Sequence, residues 1–229
     1  IVILRFTVPS VAIDQSDSDV AFGNSLSPSS TKAGGGTLAW SADNAACTFN
    51  DSSSETPNIT PALDAGQSCV VTVTETGDAA PSTDSITISV VKADQATLAM
   101  SSANTIGYLG SLELSTSGGS GDGSVTFNVS GTGCSLSDST LSVSGAANKD
   151  DTCTVSATKA QSTNYNEATS ADQTVTVVAA SPVFDAYSSV SAQVGSADVV
   201  LDDPTLQVNG AAFSAGSIGW SSADVAVAD

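Results

Sequence analysis

Basic side chains are scarce in this sequence, and histidine is absent. Twenty-four Asp and Glu residues outnumber five Lys and Arg residues, so the formal net charge is −19. Nucleic acids are bound through clustered Lys and Arg, and anionic membrane surfaces repel an acidic chain. The few bases are scattered, so the composition argues against both partners. The basic residues are Arg5, Lys32, Lys92, Lys149 and Lys159.

Long apolar runs and helical periodicity are also missing. The apolar residues 1–4 are too few to cross a bilayer, so no membrane insertion is expected. No window repeats apolar residues at the spacing of an amphipathic helix. Apolar and small polar residues alternate instead, most clearly over 68–74, 85–90 and 173–178. This alternation predicts β-strands.

The same arrangement of residues occurs twice in the chain. A glycine-rich stretch at 34–36 leads through Trp40 to Cys47, and another at 121–123 leads through Phe127 to Cys134. Both the aromatic residues and the cysteines lie 87 positions apart. An internal repeat of this length predicts an array of similar modules rather than one catalytic pocket.

Each repeat contains two cysteines at matching places. Pairing Cys47 with Cys69 and Cys134 with Cys153 is the simplest of the three possible connectivities. A zinc site would need close Cys or His spacing, which the sequence does not have, and buried free thiols are the remaining alternative. Disulfides would indicate an oxidising setting outside the cytoplasm.

The repeats divide the chain into four predicted segments. Asp14-Gln15 and Asp94-Gln95 open equivalent stretches 80 residues apart, and Ser181-Pro182 has the composition of a linker. Only part of a third unit follows, so we expect a segment of a longer repeat protein or a unit completed by another chain. The segments are 1–12, the last strand of a preceding repeat or a donor strand; 13–93; 94–180; and 181–229.

Two stretches resemble a known group of proteins. The second repeat, from Gly133-Cys134 through Thr152–Ala160 to the Asn-Tyr-Asn run at 164–166, resembles bacterial immunoglobulin-like repeats of large surface proteins. The run Trp220–Asp229 resembles the intimin/invasin-type group. The resemblance implies a β-sandwich stalk in an adhesin or another exported protein at the bacterial cell surface.

The residues by themselves predict the same fold class. Units of 80 to 87 residues with about seven short strands are typical of all-β, immunoglobulin-like sandwiches in a tandem, linear array. We expect Trp40, Phe127 and Trp220 to anchor the cores and Tyr165 to cap the end of one. Each cysteine bridge should attach an edge segment to the strand beginning at Cys69 or Cys153, unlike the inter-sheet bridge of antibody domains.

Acidic clusters are the candidate sites for chemistry. Asp14, Asp17 and Asp19 lie near the predicted start of the first repeat and could bind structural calcium, although solvated surface acids are the alternative. We expect no other cofactor. Catalysis is not expected either, because acid–base work without His would depend on four scattered Glu residues that no pattern pairs. These are Glu55, Glu75, Glu113 and Glu167.

Three functions remain open from the sequence. The first is a structural or adhesive stalk whose partners are neighbouring repeats of the same protein. The second is a filament of identical subunits, in which residues 1–12 complete the open unit 181–229 of the next subunit by strand donation. The third is a carbohydrate- or protein-binding module with an unknown surface receptor or glycan.

Overall fold

The chain folds into short β-strands. The computed structural model describes residues 10–77 and 81–181, together with short strands at 183–184, 206–208 and 211–212. In these residues the regular structure is entirely β, which confirms the predicted all-β class. Each sheet takes its strands from one of the stretches 11–91, 98–178 and 183–212. The sheets therefore follow the repeats.

The first stretch forms an immunoglobulin-like pair of layers. One layer is a four-stranded sheet in the order β2-β8-β7-β4, in which β2 and β8 are parallel and the other pairs are antiparallel. The other contains the pairs β1-β3 and β5-β6, and Leu26 forms an isolated bridge with Ile59 of β6. The strands are β1 Val11–Ile13, β2 Ser18–Ala21, β3 Ser30–Lys32, β4 Thr37–Ala42, β5 Cys47–Phe49, β6 Ile59–Pro61, β7 Ser68–Thr76 and β8 Ser82–Val91.

Alternating side chains build the first core. In β7, Cys69, Val71 and Val73 are buried while the residues between them face outward. Trp40, a predicted anchor, belongs to this core at 5% exposure, and its indole Nε1 donates a hydrogen bond to the Ser54 carbonyl at 2.9 Å. The period-two pattern thus places one face of each strand in the core.

A covering segment closes the outer edge of β4. The Trp40 amide donates to the Ser52 carbonyl at 2.8 Å, so residues 51–54 lie along this edge. Asp51 shapes the segment, because its carboxylate accepts hydrogen bonds from both the hydroxyl and the amide of Ser53. The Ser53 hydroxyl, followed by the Ser53 amide, lowers the pKa of Asp51. Edge strands covered in this way do not offer free backbone groups.

The glycine-rich stretch before β4 makes room for a buried acid. Glu75 in β7 is buried, and its Oε1 accepts a hydrogen bond from the Gly36 amide at 3.3 Å. A Cβ on Gly34 would lie 2.7 Å from the same Oε1 atom. The repeated glycines therefore permit a close approach of backbone to side chain.

The second stretch repeats the architecture. Its main sheet has the order β10-β18-β16-β13, with β17 also paired to β16, and β10 runs parallel to β18. The remaining strands form the sheets β11-β15-β14 and β12-β9. The strands are β9 Leu98–Met100, β10 Thr105–Gly107, β11 Ser111–Glu113, β12 Thr116–Gly118, β13 Val125–Ser130, β14 Cys134–Ser137, β15 Thr140–Val143, β16 Thr152–Lys159, β17 Ala168–Thr169 and β18 Gln173–Val178.

The second core has no aromatic anchor at its centre. Leu141, Val155 and Val175 are fully buried, whereas Phe127 is only partly buried and packs against their cluster from its margin. Phe127 thus contacts the second core, but it is less deeply buried than Trp40 in the first. Both β4 and β13 are outermost strands of their sheets, and in the first repeat residues 51–54 cover Trp40.

The N-terminal boundary also needs correction. Val11 and Ala12 were predicted to end a preceding repeat, but they lie in β1 and pair with β3. Val11 is buried in the first core, and its amide donates to the Ser82 hydroxyl at 3.1 Å. Residues 1–9, the rest of the predicted donor strand, and Trp220, the third predicted anchor, lie outside the described residues.

Part of the second repeat belongs with the first by its contacts. The chain divides into a unit of Ile1–Ala99, Gly118–Val125 and Thr158–Ser170 and a unit of Met100–Ser117, Thr126–Ala157 and Ala171–Asp229. This division differs from the predicted limits 13–93 and 94–180, because a loop and a hairpin of the second repeat fall in the first unit. The third stretch contributes β19 Val183–Phe184, β20 Leu206–Val208 and β21 Ala211–Ala212, which form one antiparallel sheet.

Both predicted disulfides are present. Cys47 in β5 is bonded to Cys69 in β7, and Cys134 in β14 to Cys153 in β16. Each bond links an outer strand of one sheet to a strand inside another. The predicted attachment of an edge segment is therefore correct, but the bonds also connect two sheets, which the sequence analysis did not expect.

Replacing both cysteines of one bond by Ala should destabilise that repeat by about 3 kcal/mol, because loops of this length gain chain entropy on unfolding. Urea unfolding of the pairs Cys47→Ala/Cys69→Ala and Cys134→Ala/Cys153→Ala measures the loss. Reductant should lower the free energy of unfolding of each wild-type repeat by a similar amount. In each variant it should leave the stability of the repeat that lacks its disulfide unchanged. Equal stability of variant and wild type would contradict this account.

Leu141→Ala should cost about 2–5 kcal/mol, because it opens a cavity at a fully buried position. Val125→Ala, at a side chain that is 36% exposed, should change the free energy of unfolding by less than about 0.5 kcal/mol. Denaturant titration of both variants tests the assignment of the second core. A similar cost for the two would show that the core lies elsewhere.

Candidate functional site at the repeat junction

The linker between the repeats forms a single parallel bridge with a hairpin, at Ala93 and Tyr165. After β8 ends, the Ala93 amide donates to the Asn164 carbonyl at 2.9 Å, and the Asn166 amide donates back to the Ala93 carbonyl at 2.9 Å. Asn164 and Asn166 belong to the hairpin between β16 and β17, which is closed by a bond from the Ser162 amide to the Tyr165 carbonyl at 3.0 Å. The linker is thus held by backbone hydrogen bonds on both sides of one residue.

The Asn164 side chain joins this hairpin to the first repeat. Its Oδ1 accepts a hydrogen bond from the Ala65 amide at 2.8 Å, and its Nδ2 donates to Asp64 Oδ1 at 2.8 Å. Asp64 and Ala65 lie in a turn closed by the Gln67 amide on the Asp64 carbonyl. A carboxamide has an acceptor and a donor side by side, so it matches this backbone amide and carboxylate together.

An aromatic pair lies beside the amide. The rings of Tyr165 and Phe22 meet edge to face, with centroids 5.6 Å apart and an interplanar angle of 77°. Phe22 follows β2, and its amide donates to the Val91 carbonyl at 2.9 Å, which fixes it next to the linker. Edge-to-face pairs contribute roughly 0.5–1.5 kcal/mol beyond the area they bury. Tyr165, predicted to cap a core, therefore contacts the neighbouring repeat.

Gln95 secures the other side of the linker. Its Nε2 donates to the Asn166 carbonyl at 2.7 Å and to the Ala160 carbonyl at 3.2 Å, while its Oε1 accepts from the Ser120 amide at 3.1 Å. One side chain thus connects the linker, the hairpin and the glycine-rich loop at 118–123. Gly123 in this loop lies so close to the Ala160 carbonyl that a Cβ would collide with it.

These contacts surround a polar cleft of about 350 Å³. Two carboxylates, two hydroxyls, an amide and a phenol face it, so it can accept hydrogen bonds and attract cations. The lining side chains are those of Asp64, Asp122, Ser162, Thr163, Asn164 and Tyr165. Because they come from the hairpin, the loop and the first repeat, the cleft exists only when these parts are together.

The predicted calcium ligands are not brought together. Asp14 accepts hydrogen bonds from the hydroxyls of Ser29 and Thr31, at 2.9 and 3.1 Å. Asp17 Oδ1 instead accepts from the Thr87 amide at 2.7 Å, and Asp19 is exposed on β2. Across 10–77 and 81–181 no three acidic or sulfur side chains are grouped so as to hold a metal ion. In the same ranges no helix could span a membrane.

Sequence reasoning found this site only in part. It singled out Tyr165 and the repeated Asp-Gln pairs, but it missed Phe22, Asp64 and Asn164. Asn164 lies 100 positions from Asp64 and 99 from Ala65, so no local spacing could show the contact. The available signal was the Asn-Tyr-Asn run, because exposed hairpin tips rarely need an aromatic residue unless something covers it.

Asn164→Asp should weaken the junction, because it removes the donor and sets a second carboxylate against Asp64. Faster hydrogen exchange of the Ala65 and Ala93 amides measures the effect, and added salt should reduce it. The double variant Asn164→Asp/Asp64→Asn exchanges donor and acceptor and should restore slow exchange. Asn128→Asp on exposed β13 is the matched control. Unchanged exchange in Asn164→Asp would contradict the contact.

No family model and no curated protein matches this chain. Similar solved structures include titin domains Z1Z2 in complex with telethonin, at 17% identity and a TM-score of 0.42 over 78% of this chain and 100% of that one. Human protocadherin-24 EC1-2 has 11% identity and a TM-score of 0.36, over 76% of this chain and 97% of that one. The fibronectin(III)-like modules of Clostridium thermocellum CbhA have 12% identity and a TM-score of 0.30, over 74% of this chain and 93% of that one. Likenesses of this size carry no argument about what the chain binds.

Proposed function

We propose that this chain is a non-catalytic structural segment of a large extracellular bacterial repeat protein, in which tandem repeats carry tension toward a distal binding region. The observation that carries the proposal is the pairing of the last strand of each repeat. In both repeats this strand, β8 or β18, is the direct parallel neighbour of the repeat's second strand, β2 or β10.

The parallel pairs resist tension in a favourable geometry. In the first repeat Ser18 pairs with Ile88 and Ala21 with Val91, so both strands run the same way. A pull on the start of β2 and the end of β8 slides one strand along the other, and all the hydrogen bonds between them are loaded at once. Antiparallel strands at the termini would instead be opened one bond at a time. The pair β10 and β18 has the same arrangement in the second repeat.

The disulfides support the same function. Each bond closes a loop inside the repeat, so the residues between the cysteines cannot extend even after the repeat unfolds. Two such bonds also indicate an oxidising compartment, which favours the extracellular side of the cell. The net charge of −19 suits neighbouring modules that must stay soluble and apart.

The filament alternative is less favoured by the contacts. Strand donation by residues 1–12 would require Val11 to leave the first core, where it is buried, and Val11 and Ala12 to leave β3. A shorter donor within residues 1–9 is not subject to this objection. Deletion of residues 1–9 tests this alternative, since a filament would fall apart and a load-bearing segment would keep both repeats folded.

Pulling single molecules by their ends should give two unfolding steps that are shortened by the disulfides. Reductant should lengthen the step of the first repeat by roughly 70 Å and that of the second by roughly 60 Å, from spacings of 22 and 19 residues at full extension. Ser18→Pro should lower the unfolding force of the first repeat, because strand alternation from the Phe22 amide, which donates to the Val91 carbonyl, turns the Ser18 amide toward β8, and proline removes it.

Thr48→Pro is the matched control for that variant, because Thr48 is an exposed strand residue inside the loop that the first disulfide shields from force. It should leave the unfolding force unchanged under oxidising conditions. An equal reduction of the unfolding force in both variants would contradict a load-bearing role. So would repeats that unfold at forces too low to detect.

A further inference from the structure

The surface of the first repeat that receives the hairpin has three parts, and we call it the acceptor surface. It consists of the Phe22 ring, the Asp64 carboxylate and the Ala65 amide. The two main-chain bonds beneath it run from the Gly66 amide to the Val90 carbonyl at 2.8 Å and from the Val90 amide to the Gln67 carbonyl at 2.8 Å. These bonds fix the turn to the end of β8.

The second repeat contains the same turn. The Asp150 amide donates to the Val177 carbonyl at 2.9 Å, and the Val177 amide donates to the Asp151 carbonyl at 2.8 Å. The turn at Asn148 is closed by the Asp151 amide on the Asn148 carbonyl at 3.2 Å, as the Gln67 amide closes the turn at Asp64. The residues 148–151 therefore correspond to 64–67.

The backbone conformation of the turn is kept although its glycine is not. Gly66 has a φ of 90°, and Asp150 at the equivalent place has a φ of 73°. A side chain in this left-handed region costs energy, although Asp tolerates it better than most residues. The turn of the second repeat thus holds the shape of the first against a local preference.

An aromatic residue occupies the matching place in the second repeat. Tyr108 follows β10 as Phe22 follows β2, and its amide donates to the Val178 carbonyl at 2.9 Å. The Phe22 amide donates to the Val91 carbonyl at the same distance. Tyr108 is partly buried against the second core, as Phe22 is against the first. The backbone of Tyr108 is therefore held to the last strand of its repeat as the backbone of Phe22 is.

The hydrogen-bonding chemistry is preserved as well. Asn148 provides an oxygen acceptor in the place of the Asp64 carboxylate, and the Lys149 amide takes the place of the Ala65 amide. Asn148 and Lys149 are exposed. An incoming carboxamide would meet the same acceptor and donor that Asn164 meets in the first repeat.

We propose that Tyr108, Asn148 and Lys149 form a second acceptor surface for the hairpin of another immunoglobulin-like repeat carrying an Asn-Tyr pair. This inference rests on the proposed function, and it names the partner that such a tandem segment holds. The first repeat does not qualify, because the sequence 77–81 between β7 and β8 contains neither Asn nor Tyr. A second copy of the chain therefore cannot dock here through its first repeat.

The test is a titration of the full chain with a cyclised peptide of residues 158–170, followed by NMR. We expect saturable shifts of the Lys149 amide and the Tyr108 ring. A peptide with Asn164→Ala and Tyr165→Ala should bind at least about tenfold more weakly, the factor for the loss of about 1.4 kcal/mol. Asn148→Ala in the protein should weaken binding of the unsubstituted peptide to a similar degree.

A second protein variant shows whether the peptide can bind an acceptor surface at all. In a chain with Asn164→Ala and Tyr165→Ala the first acceptor surface is exposed, and the peptide should also shift the Ala65 amide. Shifts at Ala65 without shifts at Lys149, no shifts at all, or shifts that neither substitution weakens would each overturn the inference. The pulling experiment does not involve this surface, so such a failure would leave the load-bearing proposal standing.

Discussion

Each repeat depends on the packing of two sheets through a thin layer of small aliphatic side chains. Aromatic residues make up only 5% of the chain, so few large side chains are available to fill the layer. Cys69 and Cys153 lie inside it and are buried beside Val71 and Val155. A disulfide at this place removes disorder from the unfolded chain, which is worth most where the core is small. The stability of the repeats thus rests on cores and bridges together.

The junction follows a different principle from the cores. Its contacts are directional: one carboxamide meets a backbone amide and a carboxylate, and one pair of rings meets edge to face. Such contacts depend on the direction of the donor, the acceptor and the rings as well as on their distance. The linker lies directly in this arrangement, because β8 ends at Val91, whose carbonyl binds the Phe22 amide, and Ala93 binds the hairpin. In the proposed load-bearing role, tension leaving the first repeat would pass directly into the contacts of the junction.

Alternation and repetition made much of the fold predictable. The pattern of Cys69, Val71 and Val73 is local, and it determines which face of β7 is buried whatever lies opposite. The cysteine pairing followed from the repeat, because each unit has two. The depth of burial of an aromatic residue could not be predicted in this way. Phe127 has the same sequence context as Trp40, and both lie on outermost strands, but Trp40 is covered by residues 51–54 and Phe127 is only partly buried. Asp14 and Asp17 are close in sequence but accept hydrogen bonds from different segments, and Asp19 is exposed.

The sequence by itself determined the all-β class, the repeat, the two bridges and the acidic, non-helical character of the chain, since all of these follow from local patterns and composition. Only the tertiary structure decided the parallel pairing of β2 with β8 and the junction built from Asn164, Tyr165 and Phe22. The physical reason is distance along the chain. Hydrogen bonds between residues 70 to 100 positions apart depend on how whole sheets and turns are placed, and no neighbouring residue reports that placement.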